Sequence, residues 1–213
     1  KEYLDYLEIE KGRSLKTREN YEHYLRKFFQ DRKISSPADI DEATVREFRL
    51  RLARQDLKKI TQNYYIIALR NFLKFLAKRG VAALAPEKIE LPKVVRREID
   101  FLEAGELERL LAAPQGNNPR ILRDRAILET LFSTGLRLAE LCQLKRSIDL
   151  QRGELSVRGK GEKIRVVFFS AGAKKALADY LAKRQDAEET LFISLDKKNK
   201  VIGPITPRSV QRL

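Results

Sequence analysis

Methionine and tryptophan are absent from this sequence, and cysteine and histidine occur once each, as Cys142 and His23. A single thiol supports neither a disulfide framework nor a cysteine-ligated metal cluster. A single imidazole leaves no basis within this chain for a zinc site with several His ligands, a Ser–His–Asp triad or a Cys–His pair. No apolar run approaches the roughly 18 residues of a membrane span. The opening KEYLDYLEIEKG carries no hydrophobic signal segment, so a cytoplasmic protein is expected. Acidic residues are also in deficit: 30 Asp+Glu against 44 Lys+Arg leave a formal charge of +14, the mark of a protein that meets polyanions. With no initiator methionine, and with helical patterns at both ends, the sequence reads as part of a longer protein.

Apolar residues make up 43% of the 213, enough for a packed core and too many for a disordered chain. That length suits one large domain or two small ones. Residues 1–95 and 96–213 each carry a surplus of +7. Two equally basic halves suggest a ligand that both touch; a generally basic, solvated surface is the alternative. No helix is both heavily basic and strongly amphipathic, which argues against a membrane surface.

The first half reads as four helices: 2–10, 15–31 after Ser14 as N-cap, 41–54, and 58–79 ending at Gly80. In the second helix Tyr21, Tyr24, Leu25, Phe28 and Phe29 form a helical apolar stripe. In the fourth, the expected buried stripe is Ile60, Tyr64, Ile67, Phe72, Phe75 and Leu76. Four helices with short links predict a compact helical domain over residues 1–85. Pro86, Pro92 and the charged KVVRREID mark residues 86–100 as an interdomain linker, whose Lys93, Arg96 and Arg97 either follow a polyanion or are simply solvated.

The second half, 101–213, changes period. Helices are expected near 103–113 and 120–132, and a new one from Leu136 after the Ser133-Thr134-Gly135 break. Residues 154–158 and 163–167 then alternate as strands, joined through Gly159-Lys160-Gly161-Glu162 as a hairpin. A helix at 172–184, a short apolar run Leu191–Ser194, and a helix start at Thr206-Pro207 complete the reading.

Three constellations bear on chemistry. Arg137 falls in the first turn of a helix, where the dipole does not favour a cation, with Glu140 three residues on. Either the guanidinium and nearby amides hold a phosphate oxygen, or the two side chains form a structural ion pair. In Arg158-Gly-Lys-Gly-Glu-Lys-Ile-Arg165, Lys160 stands between two glycines at a hairpin tip. There it either delivers charge or a proton to a phosphoryl oxygen or is a solvated turn residue; no P-loop is present. Finally, Lys16, Thr17 and Asn20 share one helix face, and Lys58, Thr61, Gln62 and Tyr65 another, opposite its apolar stripe. Such stripes suit a DNA groove, with lysines on phosphates and amides on base edges, or are ordinary wet faces. His23 is expected at the surface, and Cys142 and Tyr180 in the core. Asp100, Glu103, Glu106 and Asp124 are too scattered for a two-metal nuclease.

Together these segments resemble the tyrosine recombinases, the Xer-like site-specific recombinases and phage-type integrases. Ser14-Leu-Lys-Thr-Arg-Glu-Asn-Tyr21 and Ala68-Leu-Arg70-Asn-Phe-Leu-Lys74-Phe75 resemble the SAM-like core-binding domain. Phe101-Leu102 with Glu106–Leu111 resembles the start of the catalytic domain. The stretch from Arg125 to Leu141, through Ser133-Thr-Gly-Leu-Arg137, is similar to the box holding the first catalytic arginine, which falls on Arg137. Gly159-Lys160-Gly161 resembles the hairpin with the catalytic lysine, which falls on Lys160, although Ser147–Leu150 is about one residue short of the usual pattern.

The resemblance implies a mostly α protein: a SAM-like four-helix domain, then part of a mixed α/β catalytic domain with a small antiparallel sheet. It implies cutting and rejoining of double-stranded DNA through a 3′-phosphotyrosyl link, which needs neither ATP nor an essential metal. It also implies a tetramer on DNA for the full-length protein; for a chain lacking the family's C-terminal exchange segment, a monomer in solution would be no surprise. DNA contacts are then expected from Lys16, Thr17, Asn20, Lys58, Thr61, Gln62, Tyr65, Arg70, Lys74, Arg96, Arg97, Arg158, Lys163, Arg165 and Arg208. The family's His-x-x-Arg box and nucleophilic tyrosine do not occur in this sequence, which as it stands is expected to bind DNA without cutting it. The alternative is a non-catalytic DNA-binding module or regulator, either a decayed relative or an unrelated basic helical protein.

Overall fold

A computed structural model describes residues 1–30, 34–92, 100–159 and 163–213. The chain divides into two compact units, 1–98 and 99–213, each with its own apolar core.

The first unit is helical. Helix α1 (Glu2–Asp5) continues as a single π turn, Tyr6–Glu10. Helix α2 (Leu15–Gln30) begins where the Ser14 hydroxyl accepts the Thr17 amide at 3.3 Å. Helix α3 (Glu42–Ala53) is capped by Asp41, whose carboxylate accepts the Thr44 amide at 2.7 Å. Helix α4 (Lys59–Lys78) is the long central element and ends at Gly80, whose φ of 70° lets the chain turn away. Phe28 of α2 and Phe48 of α3 meet edge to face at 5.0 Å, with Leu69 and Leu73 of α4 buried in the same core. Tyr3 and Tyr6 cover the far end of α4 through Phe75, at 5.2 and 4.8 Å.

The buried face of α4 differs from the expected stripe. Ile60 and Tyr64 are 40% and 48% exposed, whereas Tyr65, Ile66, Ala68 and Leu69 are buried. The middle of α4 is apolar nearly all round, so periodicity admits several stripes. The choice falls to α2 and α3, which close over Tyr65 through Tyr24 at 4.7 Å and Phe48 at 6.2 Å.

Part of the expected linker is held against this unit. A 3-10 turn at Pro86–Lys88 is fastened by Arg70 Nε donating to the Pro86 carbonyl at 3.1 Å, and Ile89 is buried. Residues 93–99 of that segment, with Lys93, Arg96 and Arg97, lie outside the described residues.

The second unit opens with α5 (Ala104–Ala112) and α6 (Pro119–Thr134), the latter capped by Asn118 accepting the Ile121 amide at 2.9 Å, with Pro119 in its first turn. A short α7 (Leu138–Cys142) leads to an antiparallel hairpin of β1 (Glu154–Arg158) and β2 (Ile164–Phe168), with Val157 opposite Arg165. Helix α8 (Ala171–Ala182), capped by Ser170, packs along α6. A second hairpin, β3 (Ile193–Leu195) with β4 (Val201–Pro204), precedes α9 (Pro207–Val210), which rests on α7.

Strand β4 has no counterpart in the sequence reading. Its turn is built by Asp196, whose carboxylate accepts the amides of Lys198 and Lys200, both at 2.8 Å; this side-chain device carries no hydropathy signal. Tyr180 lies in the core as expected, stacked on Phe192 at 5.9 Å, and Cys142 is half-buried against that core. No helix among the described residues is long and apolar enough to cross a membrane.

Candidate active site

Helix α6 stops at Gly135, whose φ of 59° is the left-handed conformation that a helix end of this kind requires. The Thr134 hydroxyl donates back to the Thr130 carbonyl at 2.6 Å and accepts the Leu136 amide at 3.3 Å, which reverses the chain within two residues. Arg137 then adopts extended backbone as the N-cap of α7. Its amide donates to Glu140 Oε2 at 2.8 Å, and its Nη1 donates to Glu140 Oε1 at 3.0 Å.

The same carboxylate is gripped from the other side by β2. Arg165 donates Nη1 to Oε1 at 3.0 Å and Nη2 to Oε2 at 2.7 Å, a two-pronged pairing across 25 positions of sequence. The Glu140 side chain is only 10% exposed, while that of Arg137 is 65% exposed, so the anion is enclosed and one guanidinium stands open. The Arg165 hydrogen bonds, opposed by burial and assisted by Arg137, hold the Glu140 carboxyl at about 2. Two cations on one carboxylate leave the cluster with a surplus positive charge.

Gly159, which leaves β1 toward the hairpin tip, lies on this cluster. A methyl group there would sit 3.1 Å from Arg165 Nη1 and 3.5 Å from Arg137 Nη1. Its amide donates to the Lys163 carbonyl at 2.8 Å and closes the hairpin. Lys160, the expected proton donor, lies outside the described residues.

The ion pair of Arg137 with Glu140 exists, and the guanidinium remains largely open to solvent. The amide contribution expected alongside it is weaker, because the Arg137 amide is spent on Glu140 and α7 is only five residues long.

The remaining expected contacts divide. Lys16, Asn20, Lys58, Lys74, Arg158, Lys163 and Arg208 are exposed. Lys16 pairs with Glu19 at 2.8 Å, and Thr17 is tied to Ser14 within its own first turn. Thr61 and Gln62 are half-buried, and the Gln62 amide donates to the Leu57 carbonyl at 2.8 Å. Tyr65 is a correction: it is 5% exposed, wedged between α2 and α3, and cannot read a groove. Its hydroxyl bonds the exposed His23 Nε2 at 3.1 Å. Arg70 is a second correction, since its guanidinium serves the Pro86 turn. Arg165 is a third: its Nη1 and Nη2 are engaged by Glu140, and its side chain is only 35% exposed. Its signal was in the alternation of β2, where Ile164, Val166 and Phe168 face out and an arginine shares the inward side with Val167. An arginine on the buried side of a strand calls for an acid, and no local spacing names which one.

Among the described residues, no group of three or more His, Cys, Asp or Glu side chains gathers as a metal-ion ligand set.

Residues 100–211 match the phage integrase family, and residues 1–80 match the N-terminal SAM-like domain of phage integrases. A tyrosine recombinase XerC of Thermodesulfovibrio yellowstonii is 31% identical, over 99% of this chain and 72% of the relative. A tyrosine recombinase XerC of Halalkalibacterium halodurans is 33% identical, over 99% of this chain and 73% of the relative. Among solved structures, the lambda integrase (residues 75–356) bound to DNA shares the fold with a TM-score of 0.70 and 18% identity, over 99% of this chain and 72% of that one.

Proposed function

This chain belongs to the phage integrase family, the tyrosine recombinases, and from that premise we propose that it serves a recombinase that cuts and rejoins double-stranded DNA at specific sites in the cytoplasm, this sequence binding the DNA and supplying the arginine and the lysine but not the nucleophile. In this reading residues 1–85 are the core-binding part, 86–100 the linker and 101–213 the catalytic part. The working assembly is a tetramer on two duplexes.

The reaction makes definite demands. A tyrosine oxygen bonds to the scissile phosphorus as the bond from phosphorus to the 5′ oxygen breaks. The departing oxygen takes a proton, and the 3′-phosphotyrosyl ester keeps the bond energy for rejoining. Negative charge grows on the nonbridging oxygens, so a fixed guanidinium aimed at them lowers the barrier more than it tightens binding. We assign that task to Arg137 and proton delivery to Lys160. None of the seven tyrosines in this sequence is assigned the attack. The exposed basic residues Lys16, Lys58, Lys74, Arg158, Lys163 and Arg208 would hold the DNA backbone, joined by Arg96 and Arg97 of the linker.

One observation carries the reading: the Arg137 guanidinium is fixed on an enclosed carboxylate yet stays 65% exposed, beside the glycine that leads into the hairpin tip. The test uses the full-length protein and a nicked DNA site whose cleavage traps the covalent adduct. Arg137→Ala is expected to lower adduct formation by roughly 10²–10³-fold while DNA affinity falls only a few-fold. Equal loss of both would reduce Arg137 to a phosphate anchor.

A further inference from the structure

Resting on the recombinase reading, we propose that Arg165 is a positioning residue for strand cleavage: its two-pronged grip on Glu140 holds the carboxylate that aims the Arg137 guanidinium at the scissile phosphate. Arg165 never reaches the phosphate in this account. It acts through Glu140.

The first support is geometric. Glu140 Oε1 accepts Arg137 Nη1 and Arg165 Nη1, both at 3.0 Å, and Oε2 accepts the Arg137 amide at 2.8 Å and Arg165 Nη2 at 2.7 Å. Fork-on-fork pairing fixes the plane of the carboxylate as well as its position. Arg137 alone holds the carboxylate only from within one helical turn, through its amide on Oε2 and one side-chain bond on Oε1. The partner comes from β2, so the site of Arg137 is braced against the hairpin and not only against its own helix.

The second support is charge. With Arg165 present, one enclosed carboxylate faces two guanidiniums, so the cluster keeps one surplus positive charge, and Arg137 is its more open member. Without Arg165, Glu140 would neutralise Arg137 instead and present its own negative charge to an incoming phosphate. Arg165 thus keeps an acid that positions a phosphate ligand from also repelling the phosphate. Gly159 is consistent with this, since a methyl group there would sit 3.1 Å from Arg165 Nη1 and push on the guanidinium by a few tenths of an ångström.

The test separates this role from simple bracing of the fold. Full-length wild type, Arg137→Ala, Arg165→Ala and Arg165→Lys are compared on the nicked DNA site, and on the same site with a methylphosphonate at the scissile position. That group replaces one charged nonbridging oxygen with a methyl and so needs less help from a guanidinium. On the ordinary ester both Arg165 variants are expected to form adduct about 10²-fold more slowly, with melting temperature and DNA affinity near wild type for Arg165→Lys, which keeps the charge but loses the fork. On the methylphosphonate their deficit should shrink toward wild type in parallel with that of Arg137→Ala. Wild-type cleavage by Arg165→Lys overturns the inference. So does a deficit that persists on the methylphosphonate while that of Arg137→Ala shrinks. A wild-type protein that forms no adduct overturns the recombinase reading itself.

Discussion

Among the described residues of the second unit, Glu140 and Asp186 are acids whose carboxyls folding holds well below their ordinary range, which links stability to pH. Glu140 is held at about 2, first by the hydrogen bonds from Arg165. Asp186 is held at about 2, first by the Arg184 guanidinium, whose Nε donates to Oδ2 at 2.9 Å. Arg184 is itself buried and donates further to the carbonyls of Glu188, Thr190 and Leu191, so this pairing ties the end of α8 to the approach to β3. Both carboxyls release their protons more readily folded than unfolded. Their contribution is therefore complete above about pH 4.5, the ordinary carboxylate range, and is lost as pH falls toward 2. Thermal melts between pH 6 and 2.5 should show a plateau and then a steep fall. Glu140→Gln should lower the plateau and flatten the fall, because its side chain has no proton to gain. An unchanged slope in that variant would remove Glu140 from the acid response.

At the scale of elements, one hydroxyl ties the hairpin to two helices. Ser133, one residue before the end of α6, donates through Oγ to the Phe168 carbonyl at 2.9 Å and accepts the Ser170 amide at 2.6 Å. It thereby joins the end of α6, the end of β2 and the cap of α8. Ser133→Ala should cost about 1–2 kcal/mol in urea denaturation, the worth of two ordinary hydrogen bonds, and cleavage should suffer with it because β2 carries Arg165. A cost within error of zero would show that water replaces both bonds. The elements themselves were legible where the signal was local: the Ser14, Asp41 and Thr206 starts, the glycine stops, and the alternating strands 154–158 and 163–167. Which face of α4 turned inward was not legible, since Ile60 and Tyr64 satisfy the helical period as well as Tyr65 and Ile66 do.

Across the whole molecule, the surplus of +14 is divided evenly between the two halves. Each half therefore has its own basis for holding phosphates, and binding should release counterions from both. If about six phosphates are neutralised, affinity should fall roughly 10³-fold between 50 and 200 mM salt. Fluorescence anisotropy with a labelled duplex measures this, and a flat response would contradict a backbone-gripping mode.

Caps, turns, helix periods and the Arg137–Glu140 spacing depend on residues a few positions apart, and sequence alone determined them because the backbone brings such neighbours together in any helix or hairpin. The helix break at Ser133–Gly135 was legible for the same reason. Tertiary structure decided the rest: Arg165 on Glu140 across 25 positions, and His23 on Tyr65 across 42. Those pairings exist only after separate elements pack. The free energy that selects them belongs to burial and charge compensation between surfaces, and no local spacing encodes it.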